Sequence, residues 1–137
     1  FKLDFYAAFL ARLDELRADG RGLVFMGDFN IAHTEIDLAR PAEAAKGTGF
    51  LPVEREWITR IIEAGYADTF RELHPDARDQ YSYWDAWRER RARNIGWRID
   101  YVFVSSELMP RVRSAFIQQE VMGSDHCPVG IDLEMEE

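Results

Sequence analysis

Phe5, Phe9, Leu13 and Leu16, with Leu10 beside them, recur at i, i+4, i+8 and i+11, and this spacing predicts an amphipathic helix over residues 1–19. Gly20 supplies its stop. Leu23 to Met26 is a short apolar run without alternation, the pattern of a strand buried on both faces, and Gly27-Asp28-Phe29-Asn30 follows at its end. Residues 31–51 read as a long loop, a length that inside a compact domain is usually functional. A second helix starts near Pro52, carries Trp57, Ile58, Ile61 and Ile62, and stops at Gly65. Asp68 to Leu73 reads as one further turn. Tyr81 to Trp84 is aromatic and strand-like, Ile99 to Val104 a strand, and Ala115 to Val121 another after a turn at Ser106 to Pro110. Gly123 to His126 is a turn. Val129, Ile131 and Leu133 alternate as a last strand. The sum is a mixed α/β pattern with polar clusters at strand ends, where layered α/β proteins often carry their chemistry.

Length bounds this picture. A folded chain of 16.0 kDa exposes roughly 7,400 Å² and its unfolded form roughly 23,000 Å², enough burial for one domain and too little for two of ordinary size. No apolar run approaches the roughly 20 residues that span a bilayer, so no membrane partner is expected. The N-terminal residues lack the regions of a signal peptide. The single cysteine, Cys127, excludes an internal disulfide and suits a reducing compartment. The first residues, Phe1-Lys2-Leu3, lack a methionine and fall at a helix, the expectation for a piece of a longer protein.

Charge changes the picture in one place. The net charge of −8 argues against nucleic-acid binding. Yet Arg88, Arg90, Arg91, Arg93 and Arg98 lie within eleven residues holding one acid, Glu89, a local +4. Arginine outnumbers lysine fifteen to two, and its planar fork suits phosphate oxygens. A solvated arginine-rich loop is the plainer alternative.

Three polar clusters carry candidate chemistry. Asp28 and Asn30, two apart in extended chain, point to one side directly after a strand, although Gly-Asp-x-Asn is also good turn chemistry. Asp100 opens an apolar strand and needs a partner, a neighbouring arginine being the structural choice. Asp125-His126 brings a group that titrates near neutrality and serves as acid, base or ligand. Oxygen-rich clusters with few nitrogen ligands suit Mg²⁺ or Mn²⁺. The scattered His33, His74, His126 and Cys127 do not make a zinc site, Gly123-Ser124-Asp125 is not a serine-hydrolase elbow, and no phosphate-binding Gly-x-x-x-x-Gly-Lys loop occurs. Metal-assisted attack of water on a phosphodiester fits what is left.

Taken together, Gly27-Asp28-Phe29-Asn30, Trp97-Arg98-Ile99-Asp100-Tyr101 and Gly123-Ser124-Asp125-His126-Cys127-Pro128-Val129 resemble, in order, the exonuclease III type of abasic-site endonucleases of the endonuclease/exonuclease/phosphatase superfamily. Asn30 to Leu38, Gly49 to Arg55 and Tyr81 to Trp84 are similar to it as well. The resemblance implies half of a four-layer α/β sandwich (the DNase I-like fold), with one mixed sheet and flanking helices. Residues 1–137 would be the C-terminal portion of a single domain. The family's N-terminal half, with its Asn, metal-binding Glu and Tyr, would be a missing partner.

The same resemblance implies the roles. Asp28 would activate or orient the attacking water and Asn30 would hold that water or a phosphate oxygen. Asp100 and His126 would pair. Asp125, with Asp28 and Asn30, would ligate Mg²⁺ or Mn²⁺. Trp97 and Tyr83 would wall a pocket for the extruded abasic sugar, Trp87 would pack on the duplex, and Arg88, Arg91 and Arg93 would touch phosphates. The implied activity is base-excision repair: cutting double-stranded DNA 5′ to abasic sites, with 3′→5′ exonuclease activity as a companion, in a bacterial cytoplasm or a nucleus. Two alternatives stay open, a phosphatase of the same superfamily and a non-catalytic half-domain whose inner sheet face is apolar and exposed.

Overall fold

Helix α1 (Lys2–Ala18) buries a stripe of Tyr6, Phe9, Leu10 and Leu13. The predicted face is kept at Phe9, Leu10 and Leu13, but Tyr6 is buried where Phe5 was expected, and Phe5 is 56% exposed. The Tyr6 hydroxyl donates to the Phe29 carbonyl. The molecule is seen here in a computed structural model that describes residues 1–136. No helix among them is long and apolar enough to cross a membrane.

Strand β1 (Val24–Asp28) leads into the long segment predicted as a loop, which holds one 3₁₀ turn (Glu35–Asp37) and the short helix α2 (Pro41–Ala44). Helix α3 (Pro52–Glu63) begins and ends where proline and glycine predict. Its first turn is fastened by buried Glu54, which accepts from the backbone N–H of Gly49 at 2.7 Å and Leu51 at 3.1 Å. Gly65, at φ +102°, turns the chain out of the helix and leaves room for Arg17, which donates to the Ala64 and Gly65 carbonyls. Strand β2 (Tyr66–Asp68), which the sequence pattern does not predict, precedes α4 (Thr69–Leu73), the predicted further turn, capped by Asp68.

Strand β3 (Asp100–Ser105) lies between β1 and β2, pairing antiparallel with both. Strands β4 (Val112–Ile117) and β5 (Val129–Leu133) form a second antiparallel ladder. Every pairing among the described residues is antiparallel and the ladder divides three and two, where one mixed sheet was expected. Tyr81 to Trp84 is not a full strand either: Tyr83 makes single bridges to Trp97 and His126.

Alternation along the sheet separates its faces. Phe25, Tyr101 and Phe103 pack with Phe29 against α1 and α3 in the main aromatic core. On the other face, Val24 is 40% and Met26 63% exposed. Strand β1 is therefore an edge strand covered on one side, not buried on both, because within these residues nothing packs over Val24 and Met26. The total exposed surface of 8064 Å² exceeds by about 700 Å² what scaling gives for this mass.

A charged network sits inside this apolar frame. Arg98, 1% exposed, donates to Asp68 through both terminal nitrogens at 3.0 and 2.6 Å and to Asp37 through Nε at 2.8 Å. Arg71 reaches the same Asp37 oxygen at 2.7 Å. Burial opposes ionisation of Asp37, but the two guanidiniums outweigh it and hold its carboxyl below the usual range. Removing one partner leaves the other charge buried and unpaired. We expect Asp68→Ala to cost about 3–5 kcal/mol, read as a lower urea midpoint, and more than any single exposed arginine substitution.

Candidate active site

The antiparallel register of β1 and β3 sets Asp28 directly opposite Asp100, at one end of the sheet and on one face. Asn30, at φ +54°, folds back so that its N–H donates to Asp28 Oδ1 at 2.8 Å. That turn bond fixes one carboxylate oxygen and leaves the other facing outward. Among the described residues the Asn30 side-chain amide makes no hydrogen bond, and its backbone carbonyl accepts from Lys2 at 2.9 Å.

His126 closes the group. Its Nδ1 donates to Asp100 Oδ2 at 2.8 Å, and its Nε2 stands 3.7 Å from Asp28 Oδ2. Asp28, His126 and Asp100 thus form a chain, with the histidine between an exposed carboxylate and a largely buried one. Ser82, fully buried, ties the two elements together. Its hydroxyl accepts from the N–H of Ile99 and Asp100, and its backbone carbonyl accepts from Cys127 N–H at 2.8 Å. The Tyr83 ring lies 5.0 Å from the imidazole.

Electrostatics follow from this geometry. Burial alone would lower the His126 pKa, but the bond to Asp100 and the charges of Asp100, Asp28 and Asp125 outweigh it and raise it above its ordinary value. Burial raises Asp100 above the usual carboxylate range, against hydrogen bonds from His126 and Ser82. The two shifts belong to the pair, whose protons titrate together. His33 shifts the other way, lowered by burial beside Thr59.

Next to the chain opens a cavity of about 870 Å³ walled by Trp97, Tyr83, Phe29 and Ile99, with Asp28 and Asn30 at one side. Trp97 and Tyr83 share an antiparallel bridge, Trp97 N–H donating to the Tyr83 carbonyl at 2.8 Å. Gly49 holds the far side: at φ +101° it permits the turn, and a Cβ there would stand 3.0 Å from the Trp97 ring. Trp87 is 54% exposed at the rim, its ring 4.1 Å from the Arg88 guanidinium. Arg88 and Arg93 are exposed. Arg91 is turned inward, its guanidinium donating to the carbonyls of Ser124, Gln119 and Val121.

The donor set is compatible with a hard divalent cation. One ligand atom each from Asp28, Asp100 and His126 lies within 4.8 Å of the others. The expected ligand Asp125 stands outside this group, exposed, its carboxylate accepting from the Ser124 hydroxyl. The arginine partner considered for Asp100 is absent: Arg98 points away, to Asp37 and Asp68. Sequence reasoning missed Ser82, Glu54 and this ion network. Isolated serines and acids carry no periodic signal, and only the fold brings them to their partners.

The His126 shift has a defined sign. A histidine whose folded pKa is raised contributes stability that is fully present below its unfolded pKa, about 6.5, and lost as pH rises through the folded value. We expect Asp100→Asn to bring the His126 imidazole titration, followed by NMR, downward, and to flatten the loss of stability between about pH 6.5 and the folded value.

Comparison with known proteins identifies the family. The model of the Endonuclease/Exonuclease/phosphatase family matches residues 1–126. The DNA repair nuclease APEX1 of Danio rerio is 44% identical over 93% of this chain and 40% of its own length. An exodeoxyribonuclease of Bacillus subtilis is 43% identical over 94% of the chain and 51% of its own. The Neisseria 3′ phosphatase NExo, solved with a product DNA hairpin, superimposes with a TM-score of 0.90 at 26% identity, over 96% of this chain and 52% of that one. The chain therefore spans about half or less of the length of these relatives. With its motifs in order and its Asp28–His126–Asp100 group assembled, the chain belongs to the Endonuclease/Exonuclease/phosphatase family, within its exonuclease III type.

Proposed function

We propose that this chain supplies part of the active site of an Mg²⁺- or Mn²⁺-dependent DNA phosphodiesterase of base-excision repair, cutting 5′ to abasic sites with 3′→5′ exonuclease activity as a companion. The observation that carries the reading is the Asp28–His126–Asp100 chain at the mouth of a cavity walled by Trp97 and Tyr83. A carboxylate and an imidazole with a raised pKa thus lie beside a space that has Trp97 and Tyr83 in its wall.

The residues divide the work as follows. Asp28, through the oxygen free of the Asn30 turn, orients a water and takes its proton as the water oxygen bonds to phosphorus. The Asn30 amide donates to the water or to a phosphate oxygen. His126, kept protonated by Asp100 and Asp28, donates from Nε2 to the phosphate oxygens as charge develops there. The bond from phosphorus to the 3′ oxygen breaks, and that oxygen leaves as a 3′-hydroxyl after gaining a proton. Asp28, with Asp125 and Asn30 or with Asp100, would hold the cation, whose positive charge polarises the phosphate. Trp97 and Tyr83 receive the extruded sugar, and a base on that sugar would meet the indole. Trp87 packs on the duplex, and Arg88 and Arg93 face its phosphates. A basic rim around an acidic centre reconciles DNA binding with the net charge of −8.

The partners of this reading are double-stranded DNA and the other half of the relatives' fold. The uncovered face at Val24 and Met26 is where that half would pack. A reducing setting, cytoplasmic or nuclear, suits the free Cys127.

The test is cleavage of a duplex carrying one abasic analogue, with Mg²⁺ and with EDTA, by the chain alone and by a protein extended to its relatives' full length. We expect Mg²⁺-dependent cutting by the extended protein, abolished by EDTA. Asp28→Ala in that protein should lower the rate by at least about 10²–10⁴-fold. Retained cleavage in that variant would remove Asp28 from the site, and cleavage by neither protein would point to another phosphoester.

A further inference from the structure

Arg91 is placed unlike its exposed neighbours Arg88 and Arg93. Arg88 and Arg93 are exposed, and among the described residues the Arg93 side chain makes no hydrogen bond or ion pair. Arg91 instead runs under segment 119–126. Its Nη1 donates to Ser124 O at 2.7 Å, and its Nη2 to Gln119 O at 3.1 Å and Val121 O at 2.7 Å. The flat face of the guanidinium lies 4.5 Å from the centroid of Trp84. Trp84 is 2% exposed and is itself fixed twice, by its indole N–H to Asn94 Oδ1 at 3.0 Å and by its backbone N–H to the Asp125 carbonyl at 3.0 Å.

We infer that Arg91 is a positioning residue, which holds the loop carrying Asp125 and His126 against Trp84 and does not grip a DNA phosphate. The inference rests on the reading of His126 and Asp125 as active-site groups. Residues 120–125 are exposed and outside any helix or strand. Their downstream end is fastened by Cys127 N–H to the Ser82 carbonyl, on the same serine whose hydroxyl holds the Asp100 backbone. Upstream, Gln118 N–H donates to the Pro128 carbonyl and the Gln119 side chain accepts from Tyr81 N–H, so the chain is fixed up to 119. Three carbonyls from 119 to 124 converge on the Arg91 fork, whose geometry is fixed, so the loop between has one position relative to Trp84 where all three bonds form. Without the fork the exposed stretch 120–124 keeps only its anchored ends, and its approach to Asp125 and His126 is free to shift. A displacement of about 1 Å at a catalytic group costs on the order of 100-fold in rate. A lysine would keep the charge and lose the fork. A phosphate, to be bound by Arg91, would have to displace the carbonyls.

The chain carries its own reporter. Cys127 is the single cysteine, 6% exposed and next to His126, so its rate of reaction with a thiol reagent reads the opening of this loop. Arg91→Ala should speed labelling at least about tenfold, Arg91→Lys about threefold, while Arg93→Ala leaves the rate unchanged. The salt dependence of binding to an abasic duplex separates the two roles. Its slope should be unchanged in both Arg91 variants, whereas loss of a phosphate contact lowers it by about one. In the extended protein, Arg91→Ala should lower kcat by about 100-fold with KM unchanged, a split that lost stability alone would not give below the unfolding temperature. Slow labelling in Arg91→Ala, or a slope reduced by one, overturns the inference. Should Arg91→Ala not fold by circular dichroism, Arg91→Lys decides by the same two measurements: parental labelling, or a reduced slope, overturns. If the parent chain and the extended protein neither bind nor cut the duplex, the functional reading fails, and labelling still judges the clamp.

Discussion

The buried guanidinium of Arg98 is the constraint from which the rest of the site takes its position. It joins three distant stretches of chain, Asp37 from the long segment after β1, Asp68 at the end of β2, and its own place between Trp97 and Asp100. Arg98 N–H also donates to the Asp37 carbonyl at 2.7 Å, so backbone and side chain agree on one register. A fully buried charge tolerates little displacement, because any lost bond leaves it unpaired in a medium of low polarity. Trp97 on one side and Asp100 on the other are therefore placed by the same network. The Trp97 wall and the Asp100 carboxylate cannot shift independently.

On that base the strand register does the remaining assembly. Pairing Asp28 with Asp100 places two carboxylates side by side, an arrangement that like charges oppose. His126 between them offsets the repulsion, and its raised pKa is the measure of that service. The two carboxylates differ in exposure: Asp100 is largely buried against the ring, while Asp28 is open to solvent.

The basic segment shows how one composition serves several ends. Arg88 lies against Trp87 at the rim, Arg90 reaches towards Glu43, Arg93 is free in solvent, and Arg91 turns under the His126 loop. A local charge of +4 thus overstates what faces outward. The same economy of surface appears at β1, where Val24 and Met26 are apolar and uncovered. Their apolar character, read in the sequence as burial on both faces, marks a face that within these residues has no layer above it.

Much was legible in the residues alone. Helix and strand periods, the stops at Gly20 and Gly65 and the start at Pro52 are local effects, set by backbone preference and by the side on which apolar groups fall. The polar motifs at 28–30, 97–101 and 123–129 named the family because their order is specific. The finer outcomes were not local. Tyr6 took the place of Phe5 in the core through a bond to Phe29, β2 appeared where no strand was expected, and the sheet divided into two antiparallel ladders. Asp125 fell outside the Asp28–Asp100–His126 group, and Arg91 was drawn to carbonyls about thirty residues away. A sequence records which groups can form a strong bond. Which partner each buried or half-buried polar group takes is decided when the chain closes, because only then is it known which groups have lost their water.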